Sequence, residues 1–235
     1  MFIPDSNLEF MLKYQLLVCD IAGTVLRDNH EVASSFQRVF DAHRIPATPE
    51  QINGLMGVHK VEAMQRILEV HEPDSARDRA HELALEFEED MITYYLTSSE
   101  VSLFDDVVET FNTLRRHGVF IGLNTGFPES ITETILERTG LKSEGLIDAV
   151  VSSDQVPSGR PSPWMIQQLM ADVKVRDSRY VVKIGDTPVD ILEGRNAECG
   201  LVLATTTGTF SYQELHRHEP DGIVAHFHEI IPYFL

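Results

Sequence analysis

Short apolar runs that alternate with helical patterns constrain the fold of this chain more than any other feature of its sequence. The runs occupy residues 14–19, 119–123, 149–151, 180–184 and 201–204. Continuous apolar runs of this length are typical of strands buried in a parallel sheet. Between them, apolar residues recur at helical spacing over residues 105–117, 128–138 and 163–173. The alternation predicts an α/β fold with a doubly wound parallel sheet.

The alternation is interrupted between residues 29 and 103. This stretch shows only consecutive helical patterns, over residues 32–43, 60–70 and 75–96. It is too long for an ordinary loop, and a chain of 235 residues can form a second, smaller domain. We therefore predict a helical cap domain at residues 29–103, inserted into a core domain of residues 1–28 and 104–235.

The composition restricts the kind of partner. The formal net charge is −18, from 37 acidic and 19 basic residues, whereas nucleic-acid binding proteins carry clustered basic residues. Residues 1–13 lack the basic start and apolar stretch of a signal peptide, and no run approaches the ~20 apolar residues that span a bilayer. Cys19 and Cys199 lie in or beside apolar runs, as reduced buried thiols do. We expect a cytoplasmic protein that binds neither nucleic acid nor membranes, with residues 1–13 as an extension before the first strand.

Polar loops follow four of the apolar runs. They are residues 20–24, 124–126, 152–154 and 185–187. In doubly wound sheets, ligands bind beyond the carboxyl ends of the strands, near the point where the strand order reverses. We therefore expect these loops to form the functional site.

Asp20 ends the first apolar run and is followed by Gly23 and Thr24, in a turn whose backbone N–H groups can face an anion. Gly23 and Thr24 are therefore candidate substrate-binding residues. The Asp20 carboxylate can attack phosphorus and form an acyl phosphate, which divides one difficult displacement into two easier ones. The alternative for Asp20 is an ordinary capping role in the turn.

Asn124, Thr125 and Gly126 precede a predicted helix that begins at residue 128, and are candidates for phosphate binding. The Thr125 hydroxyl, backbone N–H groups and the helix dipole can together hold a phosphoryl oxygen, although Thr-Gly turns also occur without any such role. Arg160 lies in a proline-rich loop, where a fixed guanidinium can neutralise a nucleophile and a transferring group. Its alternative is an exposed loop arginine.

Asp186 and Asp190 follow the fourth apolar run. Together with Asp20 they offer the hard oxygen ligands that Mg²⁺ prefers. Helix capping is the alternative for either residue.

The C-terminal tail includes a strand-like segment and four histidines without a metal-binding spacing, which are His216, His218, His226 and His228.

In their order and their positions at strand ends, these segments resemble the motifs of the haloacid dehalogenase superfamily from Leu16 to about Phe210. The resemblance implies a Rossmann-like core with an inserted cap and a Mg²⁺-dependent hydrolase acting on a small phosphorylated or phosphonate substrate. It makes Asp20 the nucleophile, Thr125 the phosphate-binding hydroxyl and Arg160 the basic residue. The Mg²⁺ ligands that it implies are Asp20, Asp186, Asp190 and the backbone carbonyl of Ala22.

Position 22 departs from most phosphatases of this superfamily, which carry there a second aspartate acting as general acid and base. Ala22 cannot transfer a proton, and losing such a group typically costs ~10²–10⁴-fold in rate. The Asp-x-Ala-Gly-Thr pattern instead resembles the phosphonatase-like subgroup, whose members form a Schiff base between a cap lysine and a substrate aldehyde. The segment from Leu55 to Lys60 resembles the lysine-bearing segment of that subgroup, which implies this role for Lys60. A solvated lysine at the start of a cap helix is the alternative.

Three residues depart from the phosphonatase pattern. Ile21, Ala63 and Phe127 stand where tryptophan, histidine and tyrosine are expected. His59 is a second candidate for proton transfer, with a surface position as its alternative. The sequence thus fits a relative of phosphonatase, and the resemblance alone makes a homodimer an expectation.

Three functions remain open. The first is hydrolysis of the C–P bond of phosphonoacetaldehyde or a related small phosphonate, through Asp20 and Lys60. The second is hydrolysis of a small phosphate monoester, as by a phosphoglycolate phosphatase, and Ala22 counts against it. The third is binding of a phosphorylated ligand without catalysis, and the joint presence of all the motif residues counts against that.

Overall fold

The computed structural model describes residues 13–235. It contains a sheet of six parallel strands in the order β3-β2-β1-β4-β5-β6. The strands are β1 Leu16–Cys19, β2 Phe120–Thr125, β3 Ala149–Ser152, β4 Val181–Gly185, β5 Leu201–Thr205 and β6 Gly222–Val224. The doubly wound parallel sheet predicted from the sequence is confirmed. The predicted extension at residues 1–13 lies, apart from Lys13, outside the described residues.

The strand order places β1 at the centre of the sheet, with β2 on one side and β4 on the other. The chain builds outward from β1 to β3 and then returns to the other side of β1 for β4, β5 and β6. The order therefore reverses at β1, where ligands bind in folds of this kind. The edge strand β6 lies in the strand-like tail segment and has only three residues, one of them a glycine, so its apolar pattern is weak.

The described residues contain ten α-helices. They are α1 Glu31–Ala42, α2 Pro49–Asn53, α3 Lys60–His71, α4 Ala76–Thr97, α5 Val107–Arg116, α6 Glu129–Thr139, α7 Trp164–Asp172, α8 Pro188–Asn196, α9 Tyr212–His216 and α10 Ile231–Phe234. None of those between residues 13 and 235 combines the length and hydropathy needed to cross a bilayer.

The connection after β1 forms the consecutive helices α1 to α4. Three of them match the predicted helical patterns. The additional helix, α2, is too short for a periodic pattern but begins with a reciprocal capping box between Thr48 and Gln51. Helix α4 packs against α3, and also against α6 of the sheet layers. The division of the chain into core and cap domains stays a prediction.

Helices cover both faces of β1, which explains its continuous apolar sequence. Leu17 and Cys19 pack in the core that includes residues of α5 and α6. Leu16 and Val18 point the other way and pack with α7. All four residues are buried, so the strand holds Asp20, the next residue, at a fixed point of the sheet edge.

Candidate active site

Three carboxylates meet at the carboxyl ends of β1 and β4. Asp20 follows β1, and its backbone N–H donates to the carbonyl of Ile184 at 3.0 Å. Asp186 directly follows β4, and Asp190 lies in the first turn of α8. One oxygen from each carboxylate lies within 4.8 Å of the other two, and all three residues are buried. The structure thus brings together the three acids expected at the metal site.

Burial and mutual repulsion act on these carboxyl groups. Burial, together with the charges of Asp20 and Asp190, raises the pKa of Asp186 well above its usual range. Burial also raises the pKa of Asp20, against the opposing charge of Arg160. A divalent cation would relieve this cost because it favours the charged form of each carboxylate. The hard oxygen donors and their need for positive charge fit Mg²⁺.

The backbone packs closely around Asp186. A Cβ added to Gly208 would lie 1.8 Å from Asp186 Oδ2, and one added to Gly23 would lie 2.7 Å from the same atom. Gly23 also has a φ of 85°, in the left-handed region that favours glycine. Thr24 donates through Oγ1 to Asp186 Oδ1 at 3.3 Å. The structure therefore places Gly23 and Thr24, both expected to bind substrate, against the carboxylate of Asp186.

Arg160 is a buried residue and not an exposed loop arginine, since only 1% of its surface is accessible. Its Nη1 lies 2.7 Å from Asp20 Oδ1 and 3.0 Å from Asp190 Oδ1. Its Nη2 donates to the backbone carbonyl of Asn124 at 2.6 Å. The guanidinium thus ties the end of β2 to two of the three acids.

Asn124 belongs to a buried network behind Arg160. Its Nδ2 donates to Glu193 Oε1 at 2.8 Å, and its Oδ1 accepts from Lys183 Nζ at 2.7 Å. Lys183 Nζ also lies 3.0 Å from both Glu193 Oε2 and Asp190 Oδ1. Asn124 was expected to contact substrate, but its amide is occupied by these charged groups, and the residue does not line the cavity next to Asp20.

Lys183 and Glu193 were not predicted as residues of the site. Both are fully buried, on β4 and α8 respectively. A lysine within an otherwise apolar strand was the signal available in the sequence, because a fully buried charge almost always has a charged partner. The glutamate, in a helix with several charged residues, gave no comparable signal.

The charge of Asp190 is fixed by this network. Its Oδ1 is shared between Arg160 and Lys183, and its Oδ2 accepts from the Thr187 hydroxyl at 2.5 Å. Burial alone would raise the pKa of Asp190, but the two cations outweigh that effect and lower it. Asp190 is therefore held as a carboxylate, with both oxygens engaged.

A small cavity of about 30 Å³ adjoins the carboxylates on the side of the inserted helices. It brings together residues from the strand ends and from the start of α3. Those predicted from the sequence are Asp20, Ala22, Lys60, Thr125, Gly126 and Asp186. The cavity therefore joins the candidate nucleophile to the candidate Schiff-base lysine.

The side-chain nitrogen of Lys60 lies among three aromatic rings. Nζ is 5.4, 5.5 and 4.9 Å from the ring centroids of Phe36, Phe87 and Phe127. It donates to the backbone carbonyl of Val58 at 3.3 Å. Burial lowers the pKa of Lys60 to about 8. Near neutral pH a fraction of Lys60 is therefore the neutral amine, which is the nucleophilic form.

Thr125 and Gly126 lie where β2 approaches the segment before α3. Thr125 Oγ1 accepts from the backbone N–H of Phe127 at 3.1 Å. A Cβ added to Gly126 would lie 2.6 Å from the backbone carbonyl oxygen of Gly57. The two backbones are thus in direct contact, and Lys60 lines the same cavity as Thr125, the last residue of β2.

His59, although next to Lys60 in sequence, faces a different cavity. It lines a polar recess together with Glu62, Ser153 and Asp154. It does not line the cavity of Asp20 and Lys60. His59 is therefore not placed to transfer protons there.

The fold and the acids at its strand ends define a hydrolase with a Rossmann-like core. Residues 17–204 match the family described as haloacid dehalogenase-like hydrolase, and the chain belongs to that family. The prediction of a hydrolase of this superfamily is confirmed.

Curated relatives resemble the chain over most of its length. A phosphonoacetaldehyde hydrolase of Bacillus cereus (strain ATCC 14579) is 28% identical over 197 residues, which cover 79% of this chain and 74% of the relative. A phosphonoacetaldehyde hydrolase of Bacillus mycoides (strain KBAB4) is 26% identical over 226 residues, covering 89% and 83%. The predicted resemblance to phosphonatases is thus confirmed.

Solved structures share the fold. A phosphonoacetaldehyde hydrolase-like protein from Oleispira antarctica superimposes with a TM-score of 0.78 at 20% identity, covering 94% of this chain and 91% of that one. A predicted phosphoglycolate phosphatase from Haemophilus somnus gives a TM-score of 0.77 at 19% identity, covering 96% and 100%. Both similarities support the fold.

Proposed function

We propose that this enzyme is a Mg²⁺-dependent hydrolase that cleaves the C–P bond of phosphonoacetaldehyde or a related small phosphonate aldehyde. The observation that carries the proposal is the position of Lys60, whose nitrogen lies in an aromatic pocket and in the same cavity as Asp20. Hydrolysis of a phosphate monoester breaks a P–O bond and does not need an amine that activates a carbonyl group. The small size of the cavity favours a short carbon chain.

The phosphoryl end of the substrate would lie against Asp20. The Asp20 carboxylate attacks phosphorus, while Arg160, 2.7 Å away, orients it and neutralises charge. The hydroxyl of Thr125 and the backbone N–H groups after β2 bind the phosphoryl oxygens. Asp20, Asp186 and the backbone carbonyl of Ala22 would hold Mg²⁺. Asp190, whose oxygens contact Arg160, Lys183 and Thr187, would lie beside these ligands. The bound ion would supply positive charge to the phosphoryl oxygens.

The carbon end would lie against Lys60. The neutral amine adds to the aldehyde carbon and, with uptake of one proton and loss of water, forms an iminium. As phosphorus bonds to Asp20, the electron pair of the C–P bond becomes the C=C bond of an enamine, and the iminium pair returns to nitrogen. The leaving carbon therefore needs no proton at the moment of cleavage. An acidic residue at position 22, where this chain has Ala22, is then not needed. Water then attacks phosphorus of the aspartyl phosphate, which releases inorganic phosphate and regenerates the Asp20 carboxylate.

The test is release of acetaldehyde and inorganic phosphate from phosphonoacetaldehyde with Mg²⁺, by the wild type and by Lys60→Arg. We expect equal amounts of both products from the wild type and none from the variant, because a guanidinium does not form the imine. Lys142→Arg is the matched control, since Lys142 is exposed and pairs with Glu133 at 3.0 Å. Activity of Lys60→Arg close to wild type would refute the role of Lys60.

The second candidate is hydrolysis of a small phosphate monoester, which the fold shared with predicted phosphoglycolate phosphatases keeps open. It requires phosphate release from monoesters that is insensitive to Lys60→Arg. A wild type without phosphonate activity but with this insensitive release would replace the first candidate by the second.

A further inference from the structure

Asp28 is a carboxylate of the cavity to which the sequence motifs give no role. It lies between β1 and α1 and lines the same cavity as Asp20 and Lys60. Its Oδ1 accepts from the backbone N–H groups of Glu31 at 2.9 Å and Val32 at 3.2 Å. These bonds fix the carboxylate at the start of α1. Its Oδ2 has no hydrogen-bond partner within residues 13–235, which leaves this oxygen available to a ligand.

Elimination among the cavity residues points to Asp28. Within the described part of the chain, four titratable side chains line the cavity, and they are Asp20, Asp28, Lys60 and Asp186. Asp20 and Asp186 serve the phosphoryl end in the proposed function, and Lys60 serves as the amine. Asp28 is the group left to move a proton at the carbon end. Ala22 and Ala63 have no proton to give, and His59 faces another cavity.

We propose that Asp28 is a catalytic acid–base residue for the carbonyl chemistry at Lys60, an inference that rests on the Schiff-base function proposed above. Addition of the Lys60 amine to the aldehyde, with a proton passing from nitrogen to oxygen, gives a carbinolamine. Protonated Asp28 donates its proton to the hydroxyl group, which leaves as water while the nitrogen lone pair forms the iminium C=N bond. The Asp28 carboxylate then lies beside a positive charge.

Product release returns the proton. After C–P cleavage the enamine carbon takes a proton from solvent, which regenerates an iminium. Water then adds to the iminium carbon, and the Asp28 carboxylate accepts a proton from that water. Collapse of the carbinolamine releases acetaldehyde and the Lys60 amine, and Asp28 is protonated again for the next cycle.

The surroundings of Asp28 support this role. Burial raises the pKa of Asp28 above its usual value, against the opposing effect of the backbone N–H groups of Val32 and Glu31. A carboxyl group with a raised pKa retains a proton closer to neutral pH, as a general acid requires. The two N–H bonds to Oδ1 keep the group in place in either protonation state.

The experiment measures imine formation directly. Wild type and Asp28→Asn are mixed with acetaldehyde and quenched with borohydride at increasing times, and ethylated Lys60 is measured by mass spectrometry. We expect imine formation to be about 10²–10⁴-fold slower in Asp28→Asn, because the amide keeps an acceptor for α1 but gives no proton. Asp41→Asn, an exposed aspartate of α1 that pairs with Gln37, should behave as wild type.

Binding of inorganic phosphate with Mg²⁺, measured by calorimetry, separates a catalytic from a structural role. We expect Asp28→Asn to bind phosphate as the wild type does. If the wild type is trapped at Lys60 and Asp28→Asn forms the imine at the same rate, the role of Asp28 is overturned and the proposed function stands. Loss of phosphate binding in parallel with imine formation would also overturn it. A wild type that is never trapped would refute the Schiff-base function, and the role of Asp28 with it.

Discussion

Two buried lysines lie at opposite sides of the candidate site, and their surroundings give them opposite tendencies to lose a proton. Lys60 lies among aromatic rings at the start of α3, where burial lowers its pKa to about 8. Burial acts on Lys183 in the same direction, but the charges of Glu193 and Asp190 outweigh it and raise the pKa of Lys183. Nearby charged partners, and not burial alone, therefore decide whether a buried lysine stays a cation. The carboxylate network thus holds a permanent cation, whereas the aromatic pocket holds a lysine of which a fraction is neutral near pH 7.

The sharpest test of this comparison removes the amine. We expect Lys60→Met to abolish C–P cleavage and to increase the free energy of unfolding at pH 7 by about 1–3 kcal/mol, because methionine fits an apolar pocket without the cost of burying a charge. Product assays and urea unfolding measure the two effects. A large loss of stability would show that the aromatic pocket stabilises the ammonium form.

The same substitution at the other lysine should have the opposite effect on stability. Lys183→Met leaves Glu193 and Asp190 buried with one cation fewer, which should cost about 3–5 kcal/mol of unfolding free energy. Urea unfolding measures the loss, and Lys142→Met at the protein surface is the control. A loss no larger than that of the control would mean that water reaches the network or that one carboxyl group takes up a proton.

Lys60 was predicted from the sequence as a residue of the site, whereas Lys183 was not. The strand ends were predictable because an apolar run followed by an acid places that acid at the edge of a parallel sheet, as for Asp20 and Asp186. Lys183 and Glu193 were missed because their pairing joins a strand to the next helix face, which depends on packing and not on a local pattern. The side chain of Asn124 was assigned to substrate because its position at the end of β2 was clear, whereas its direction was not.

The aromatic residues around Lys60 could not be predicted as a group either. Phe36, Phe87 and Phe127 come from α1, α4 and the loop after β2, so no periodicity joins them. Phe127 was noted only as a departure from a tyrosine. Asp28 was likewise overlooked because it precedes a helix, where an aspartate is usually a simple cap.

The pH dependence of stability distinguishes the two lysines without a kinetic assay. Lys60 has a pKa of about 8 in the folded protein and about 10.4 when unfolded. Between these pH values the unfolded chain binds more protons, so the contribution of Lys60 to stability rises with pH, by about 3 kcal/mol in all. We expect the stability advantage of Lys60→Met over wild type to shrink accordingly between pH 8 and pH 10.4. An advantage that stays constant over this range would place the pKa of Lys60 near its ordinary value.

The smallest expected effect is the contribution of one aromatic ring to the pKa of Lys60. The ring centroid of Phe127 is 4.9 Å from Lys60 Nζ. A ring at this distance stabilises the ammonium form by about 0.5–1 kcal/mol. Phe127→Leu keeps the pocket apolar but removes that attraction, so the pKa of Lys60 should fall by about half a unit. The midpoint of the pH dependence of imine formation, measured by borohydride quench, reports the shift. Phe104→Leu is the control, because that ring contacts Arg27 outside the cavity. A midpoint that rises instead would show that Phe127 acts mainly by excluding water, since water entering the pocket would favour the charged lysine.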